Sequence, residues 1–204
     1  DKAGIVYAGA GVRAERAKEP QIIEEKEKKY GFLAASRVLP VASWNVESTT
    51  PGVFSTYDPT ALLEEIKKVR AECDYLTVFV HWGLERKEYP ESYQKTLATQ
   101  YIDAGADAVI GSHSHCLQGV EYINGKPVFY SLGNFLFGQD GNTVALKAVI
   151  GEDGSVTYAF VAAKEQGART ISCEETEAKS LYDYLTSISV NAVVRDDGVI
   201  ESRE

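Results

Sequence analysis

Methionine is missing altogether from this 204-residue sequence, the initiator position included. The chain opens at Asp1 in DKAGIVYAGAG, which reads as a passage from a helix into a strand. The expectation is that a leader has been removed or that part of the fold lies upstream. Cysteine is scarce. Cys73, Cys116 and Cys173 are far apart, odd in number and form no CxxC pair. That excludes a disulfide framework, reads them as small buried residues, and leaves the redox compartment open. Basic charge is short as well: 21 Lys and Arg stand against 30 Asp and Glu, a net charge of −9. Proteins that grip nucleic-acid phosphates carry a basic face, so nucleic acid is not an expected partner. Long apolar runs are also lacking. The longest uncharged one, near LTVFVHWGL, reaches only about half of the ~20 residues that span a bilayer.

What is present is the balance of an ordinary globular domain, 44% hydrophobic and 25% charged, long enough for one core. Residues 20–25 and 30–36 predict a hairpin around the charged turn Lys26 to Lys29. Residues 37–57, with Thr49, Thr50, Pro51 and Gly52, show no periodicity and predict a long loop. Asp58 and Pro59 then open a helix to about Glu72, with Leu62, Ile66 and Val69 on one face. It leads into the apolar run Asp74–Trp82, the pattern of a strand buried on both sides. The unit repeats: a helix from Pro90 to Gly105 with Leu97, Tyr101 and Ile102, then a strand Ala106–Ile110 ending at Gly111. Alternating helices and strands predict an α/β layered fold. Beyond it, Asn124-Gly125 marks a hairpin between 120–123 and 127–132. Strands are expected at 144–150 and 156–163. The acidic stretch 165–204 reads as a poor core-builder with one helix from Thr176 to Ser187, either a surface helix or part of a further segment.

The chemistry-bearing residues are few and grouped. All three histidines follow strands: His81 ends YLTVFVHW, and His113 and His115 sit in GSHSH after ADAVI. Ligands of open α/β sheets bind outside the carboxyl ends of the strands, where all three fall. In an extended segment His113 and His115 would point to one face. Imidazoles are common ligands of zinc-, iron- and manganese-type ions, so a divalent metal site is one reading and hydrogen-bonded structural histidines the other. No nearby Asp supplies a bridging carboxylate. Glu85, four residues past His81, is a candidate outer acceptor or proton donor, or a solvated loop carboxylate beside Arg86 and Lys87. Trp82 and Tyr89 either line a groove or fill the core. Gln118 either orients a ligand or lies on the surface, and Asn134 either touches the site or forms the turn after Gly133. Gly9 and Gly11 in AGAG lack the Lys of a phosphate loop and read as a tight passage.

HWGLE (81–85), the stretch YPESYQKTLATQYIDAGADAVIGSHSHCLQGVEYINGKPVFYSLGNFLFG (89–138) and the opening AGIVYAGAG (3–11) closely resemble the bacterial CapA-type family of capsule and poly-γ-glutamate biosynthesis proteins. Its members read HWGxE, IDAGAD, VIGxHPHxxQG and GKPxFYSLGNFxF. The resemblance covers residues 1–163 and leaves 164–204 as an acidic extension. It implies a calcineurin-like metallophosphoesterase fold, an αββα sandwich with a metal centre at the strand ends. His81, His113 and His115 then correspond to metal ligands, with Glu85 or His113 handling a proton and Trp82, Arg86, Gln118 and Asn134 lining the substrate.

Two departures stand out. Ser114 replaces the Pro between the paired histidines, removing a φ restraint. The family's early acidic motifs and its NNH motif are also absent. The expectation is therefore a C-terminal portion cut between the halves of its metal site, whose Mn-, Fe- or Zn-type ions need ligands upstream of Asp1. Such a part would bind metal weakly or not at all, be inactive alone, and leave a sheet edge open. The resemblance implies a metal-dependent hydrolase or transferase acting on a cell-surface polymer or phosphate ester, or a non-catalytic polymer-binding or export component. The expected partners are an anionic polymer or its precursor, met by Arg86 and Lys87, and other capsule-assembly proteins. The implied place is extracytoplasmic, at the cell surface, with an upstream membrane anchor in the parent protein.

Overall fold

The structure, a computed structural model, describes residues 3–46 and 49–203. The first two residues of the expected helix-to-strand passage and positions 47 and 48 of the expected long loop lie outside the described residues. The backbone groups into two units, Asp1–Gly83 with Ser92–Gly111, and Leu84–Glu91 with Ser112–Glu204.

The first unit runs β1 (Ala10–Gly11), α1 (Ala14–Lys18), β2 (Gln21–Glu25), β3 (Lys28–Ser36), β4 (Gly52–Val53), α2 (Thr60–Arg70), β5 (Tyr75–His81), α3 (Ser92–Ala104) and β6 (Ala108–Ser112), whose last residue passes into the second unit. Its sheet carries the order β2-β3-β5-β6. The β2–β3 hairpin closes through Lys26 and Glu27, both left-handed at φ 50° and 62°. A two-residue turn of this hand matches the strand twist but normally takes Asn and Gly. β3 and β5 run parallel, from Tyr30 opposite Tyr75 to Ser36 opposite His81.

Helix α2 buries the predicted Leu62, Ile66 and Val69 completely. Its regular turns begin at Thr60, and the Asp58 carboxylate accepts the Thr60 N–H at 2.9 Å. Gly31 lets the helix come close, since a Cβ there would lie 2.9 Å from Cys73 Sγ and 3.3 Å from Val69 Cγ1. The same face of β5 carries the buried Leu76, Val78 and Val80. Its other face is not sealed as expected, for Phe79 is 41% exposed. The expected long loop is also more structured than its pattern, holding a 3-10 turn (Ala42–Trp44) and β4, which pairs antiparallel with β1. Two-residue strands are too short to show alternation. Of the AGAG glycines, Gly11 sits in this small ladder and Gly9 just before it, its carbonyl accepting the Phe54 N–H at 2.8 Å.

Asp107 ties three elements of this unit together. It pairs with Arg70 and accepts the Leu76 N–H at 2.9 Å, while Arg70 also donates to the Cys73 carbonyl.

The second unit holds β7 (Leu117–Ile123), β8 (Lys126–Leu132), β9 (Gly141–Ile150), β10 (Val156–Glu165), β11 (Thr170–Ser172), α4 (Glu175–Ile188), β12 (Ala192–Val194) and β13 (Val199–Ser202). β7 and β8 form the predicted hairpin, with Asn124 and Gly125 at φ 51° and 73°. β9 pairs with β10 along its whole length, Gly141 opposite Glu165. The other edge of β10 is shared by β13 at Tyr158 and Ala159 and by β11 at 163–165.

The acidic tail is a better core-builder than its composition predicts. Helix α4 buries Leu181, Tyr182, Leu185 and Ile188, and its end is seated on β7. Val190 N donates to the Val120 carbonyl at 3.0 Å, and Asn191 brackets Tyr122 by its N–H and carbonyl. The acidic residues occupy the helix start and its outer face, so the charge hides an amphipathic pattern. Both units are mixed α/β layers, the class predicted. No helix among the described residues is long and apolar enough to cross a membrane.

Two stability outcomes follow. Lys26→Asn with Glu27→Gly should raise unfolding stability by about 1 kcal/mol, read in urea melts, because both positions already have the left-handed backbone those residues favour. Asp107→Ala should lower it by about 3 kcal/mol, the low end for a broken buried pair, since the Arg70 side chain is 32% exposed.

Candidate metal centre

β6 delivers the chain to His113, and the loop 84–91 delivers Glu85. Two hydrogen bonds hold these loops together. Arg86 N donates to the Ser114 carbonyl at 2.8 Å, and Gln118 Nε2 donates to the Lys87 carbonyl at 2.8 Å. Glu85, His113 and His115 thereby offer one ligand atom each, all within 4.8 Å of one another. The carboxylate is exposed and both imidazoles are half-buried.

The histidines do not meet as residues of an extended strand. β6 stops at Ser112, and His113 and His115 both take a positive φ, 102° and 54°. Left-handed backbone is costly for residues with a Cβ, about 1–3 kcal/mol each, and it collects at functional sites. Here it curls the segment so that the two rings stand 6.1 Å apart, centroid to centroid. Ser114, fully buried between them, supplies by hydrogen bonding what a proline would supply by its ring. Its hydroxyl donates to the Cys116 carbonyl at 2.9 Å while its own carbonyl takes the Arg86 N–H.

Each imidazole is prepared differently. Burial, the largest cause, pushes His113 below the usual 6.5; Glu85 acts against that shift and His115 with it. The ring is therefore mostly neutral at neutral pH, the form that binds cations. His115 Nδ1 lies 2.8 Å from Asn134 Oδ1. A carboxamide oxygen can only accept, so Nδ1 carries the proton and Nε2 keeps the lone pair. The Phe137 ring packs on His115 at 4.3 Å between centroids.

The other predicted residues take different places. Arg86 and Asn134 line a cavity of about 280 Å³ together with His115, Gln139 and Tyr184, and Arg86 donates to the side-chain oxygen Oε1 of Gln139. Gln118 is 1% exposed and serves Lys87 from inside, so it does not line the cavity. Trp82 has no exposed surface and stacks on Tyr101 at 6.3 Å in the first unit. A side chain sealed in a core cannot line a groove, and the core alternative for Trp82 is the one the structure takes. His81 ends β5 in the first unit, exposed, with its carbonyl accepting the Arg37 N–H at 2.7 Å; it is not one of the three grouped residues. Phe137 was not foreseen from the sequence, although it lies in SLGNFLFG, three residues after Asn134.

The sequence model of the family described as bacterial capsule synthesis protein PGA_cap matches residues 1–139. The PGA biosynthesis protein CapA of Bacillus subtilis (strain 168) is 41% identical over 93 residues, covering 46% of this chain and 24% of that protein. The capsule biosynthesis protein CapA of Bacillus anthracis is 40% identical over 93 residues, covering 44% of this chain and 22% of its own length. The chain thus spans about a quarter of the length of these relatives. Among solved structures, a putative 5'-nucleotidase from Staphylococcus aureus overlaps 80% of this chain and 31% of its own at 12% identity and a TM-score of 0.48, too loose to bear on activity.

The depressed His113 sets a pH dependence. The folded chain holds fewer protons than the unfolded one between the lowered value and the ordinary 6.5, so stability falls as pH drops through that window. Urea unfolding of wild type and His113→Gln at a series of pH values should show a shallower acid loss in the variant.

Proposed function

Because the chain belongs to the bacterial capsule synthesis protein PGA_cap family, we propose that Glu85, His113 and His115 hold a divalent cation in a capsule or poly-γ-glutamate biosynthesis protein. In this reading the site belongs to a metal-dependent hydrolase or transferase acting on a cell-surface polymer or a phosphate ester. The observation that carries it is the convergence of two imidazoles and one carboxylate within 4.8 Å of one another. Nitrogen and carboxylate donors together suit Mn-, Fe- or Zn-type ions. Three donors leave coordination positions open, as reactive sites need.

When bound, such an ion polarises a phosphoryl or carbonyl oxygen. The chain's own residues do the rest. Asn134 holds the proton on His115 Nδ1, and Glu85, exposed beside the group, is placed to take or give a proton. Arg86, at the cavity wall, would meet an anionic substrate group. A chain of net charge −9 repels such a polymer unless local cations offset it, which favours a bound metal beside Arg86. The similarity to capsule biosynthesis proteins supports a cell-surface setting.

The test is Mn²⁺ titration of the folded chain, followed by paramagnetic broadening of the histidine ring signals. His113 and His115 should broaden together, and His113→Ala should cut affinity at least about 10-fold. Unaffected rings at saturating Mn²⁺ would sink the metal reading. Any phosphodiester or γ-glutamyl peptide hydrolysis, assayed in parallel, should stop on chelation. Polymer binding without turnover would instead identify a non-catalytic component.

A further inference from the structure

Glu165 ends β10 with 1% exposure and no ion-pair partner among the described residues, a rare setting for a carboxylate. Its Oε1 accepts the N–H of Phe137 at 2.6 Å and also that of Gly138, while Oε2 is buried without a hydrogen-bond partner. Gly138, at φ 78°, turns its amide alongside that of Phe137, so that two consecutive N–H groups converge on one carboxyl oxygen.

The segment so held, Asn134 to Gly138, has little else to fix it. Phe135, Leu136 and Phe137 are all more than half exposed, at 58%, 64% and 56%. Its remaining tie is the Thr170 hydroxyl, which donates to the Phe135 carbonyl. Yet this segment supplies both contacts that define His115: the Asn134 oxygen on Nδ1 and the Phe137 ring on its face.

We propose that Glu165 is a positioning residue for His115, holding the 134–138 segment so that Asn134 fixes the ring's tautomer and Phe137 its plane. The inference rests on the reading of His115 as a metal ligand. It places the anchor of that ligand beyond residues 1–139, the stretch the family model covers. A carboxylate oxygen is a strong enough acceptor to hold two backbone N–H groups at once.

The test uses ¹⁵N-labelled full-length chain without metal. With three histidines in the sequence, the ring signals are assignable by single His→Gln changes. Wild-type His115 should show the Nδ1–H form. Asn134→Ala should release it to a mixture of tautomers. Glu165→Ala should do the same although it touches neither ring nitrogen, and Glu165→Gln, which keeps an acceptor at the same reach, should restore the wild-type pattern. Mn²⁺ affinity should follow the same order, falling about 10–100-fold in Glu165→Ala. A His115 pattern in Glu165→Ala identical to wild type overturns the proposal. Should that variant not fold, Glu165→Asp decides. Its carboxylate falls short of the two amides, so a released His115 in Asp but not in Gln supports the role, and equal patterns in the two overturn it. The spectra are taken without metal, so a failure of Mn²⁺ to bind wild type would strike the metal reading alone.

Discussion

The hydrogen bond between His115 Nδ1 and Asn134 Oδ1, 2.8 Å long, joins the two loops on which the second unit's site depends. One loop carries the histidines in a backbone that L-residues avoid. The other carries a carboxamide that has no role unless the ring faces it. Neither loop would hold its shape alone. His113 and His115 are left-handed, and the segment after Asn134 exposes three large apolar side chains. Strain of this kind persists only where surrounding structure over-determines it. Here the surroundings are the Ser114 and Arg86 bonds on one side, and Thr143, Glu165 and Thr170 on the other.

That arrangement reassigns work to the acidic end of the chain. Thr143, Glu165 and Thr170 lie in β9, β10 and β11; Thr143 holds the end of β8 at Leu132, and Glu165 and Thr170 hold the segment after it. Helix α4 and Asn191 in turn hold β7, the strand into which the histidine loop runs. A composition that looked too acidic to build a core supports the histidine loop instead. The negative charge has a second consequence. With a net charge of −9, the chain makes two imidazoles and one carboxylate a better host for a cation than for an anion.

Much of the fold was legible because its elements are long enough to show a period or carry turn chemistry. Leu62, Ile66 and Val69 mark α2, and Asn124-Gly125 marks its hairpin. The ladder of β1 and β4 was hidden because two residues have no period. The hairpin at Lys26 and Glu27 was legible from its flanks, though its turn residues are the wrong ones for the left-handed positions they occupy. Trp82 stood in a motif and so invited a role in binding. Its full burial against Tyr101 is a packing fact that no local pattern carries.

By itself the sequence determined the α/β class, the family motifs and the identity of the imidazoles, because those follow from local periodicity and residue chemistry. It also placed His113 and His115 after a strand. Only the tertiary structure decided how they meet: through left-handed backbone rather than an extended strand, with Glu85 beside them, and with Asn134 choosing the ring's proton. Those outcomes depend on hydrogen bonds between residues 19 to 53 positions apart, such as His115 to Asn134 and Arg86 to Gln139. Glu165 is the clearest case. Nothing around it in the sequence distinguishes it from any strand-end carboxylate. Its role exists only because the fold buries it beneath two amides 27 and 28 residues away.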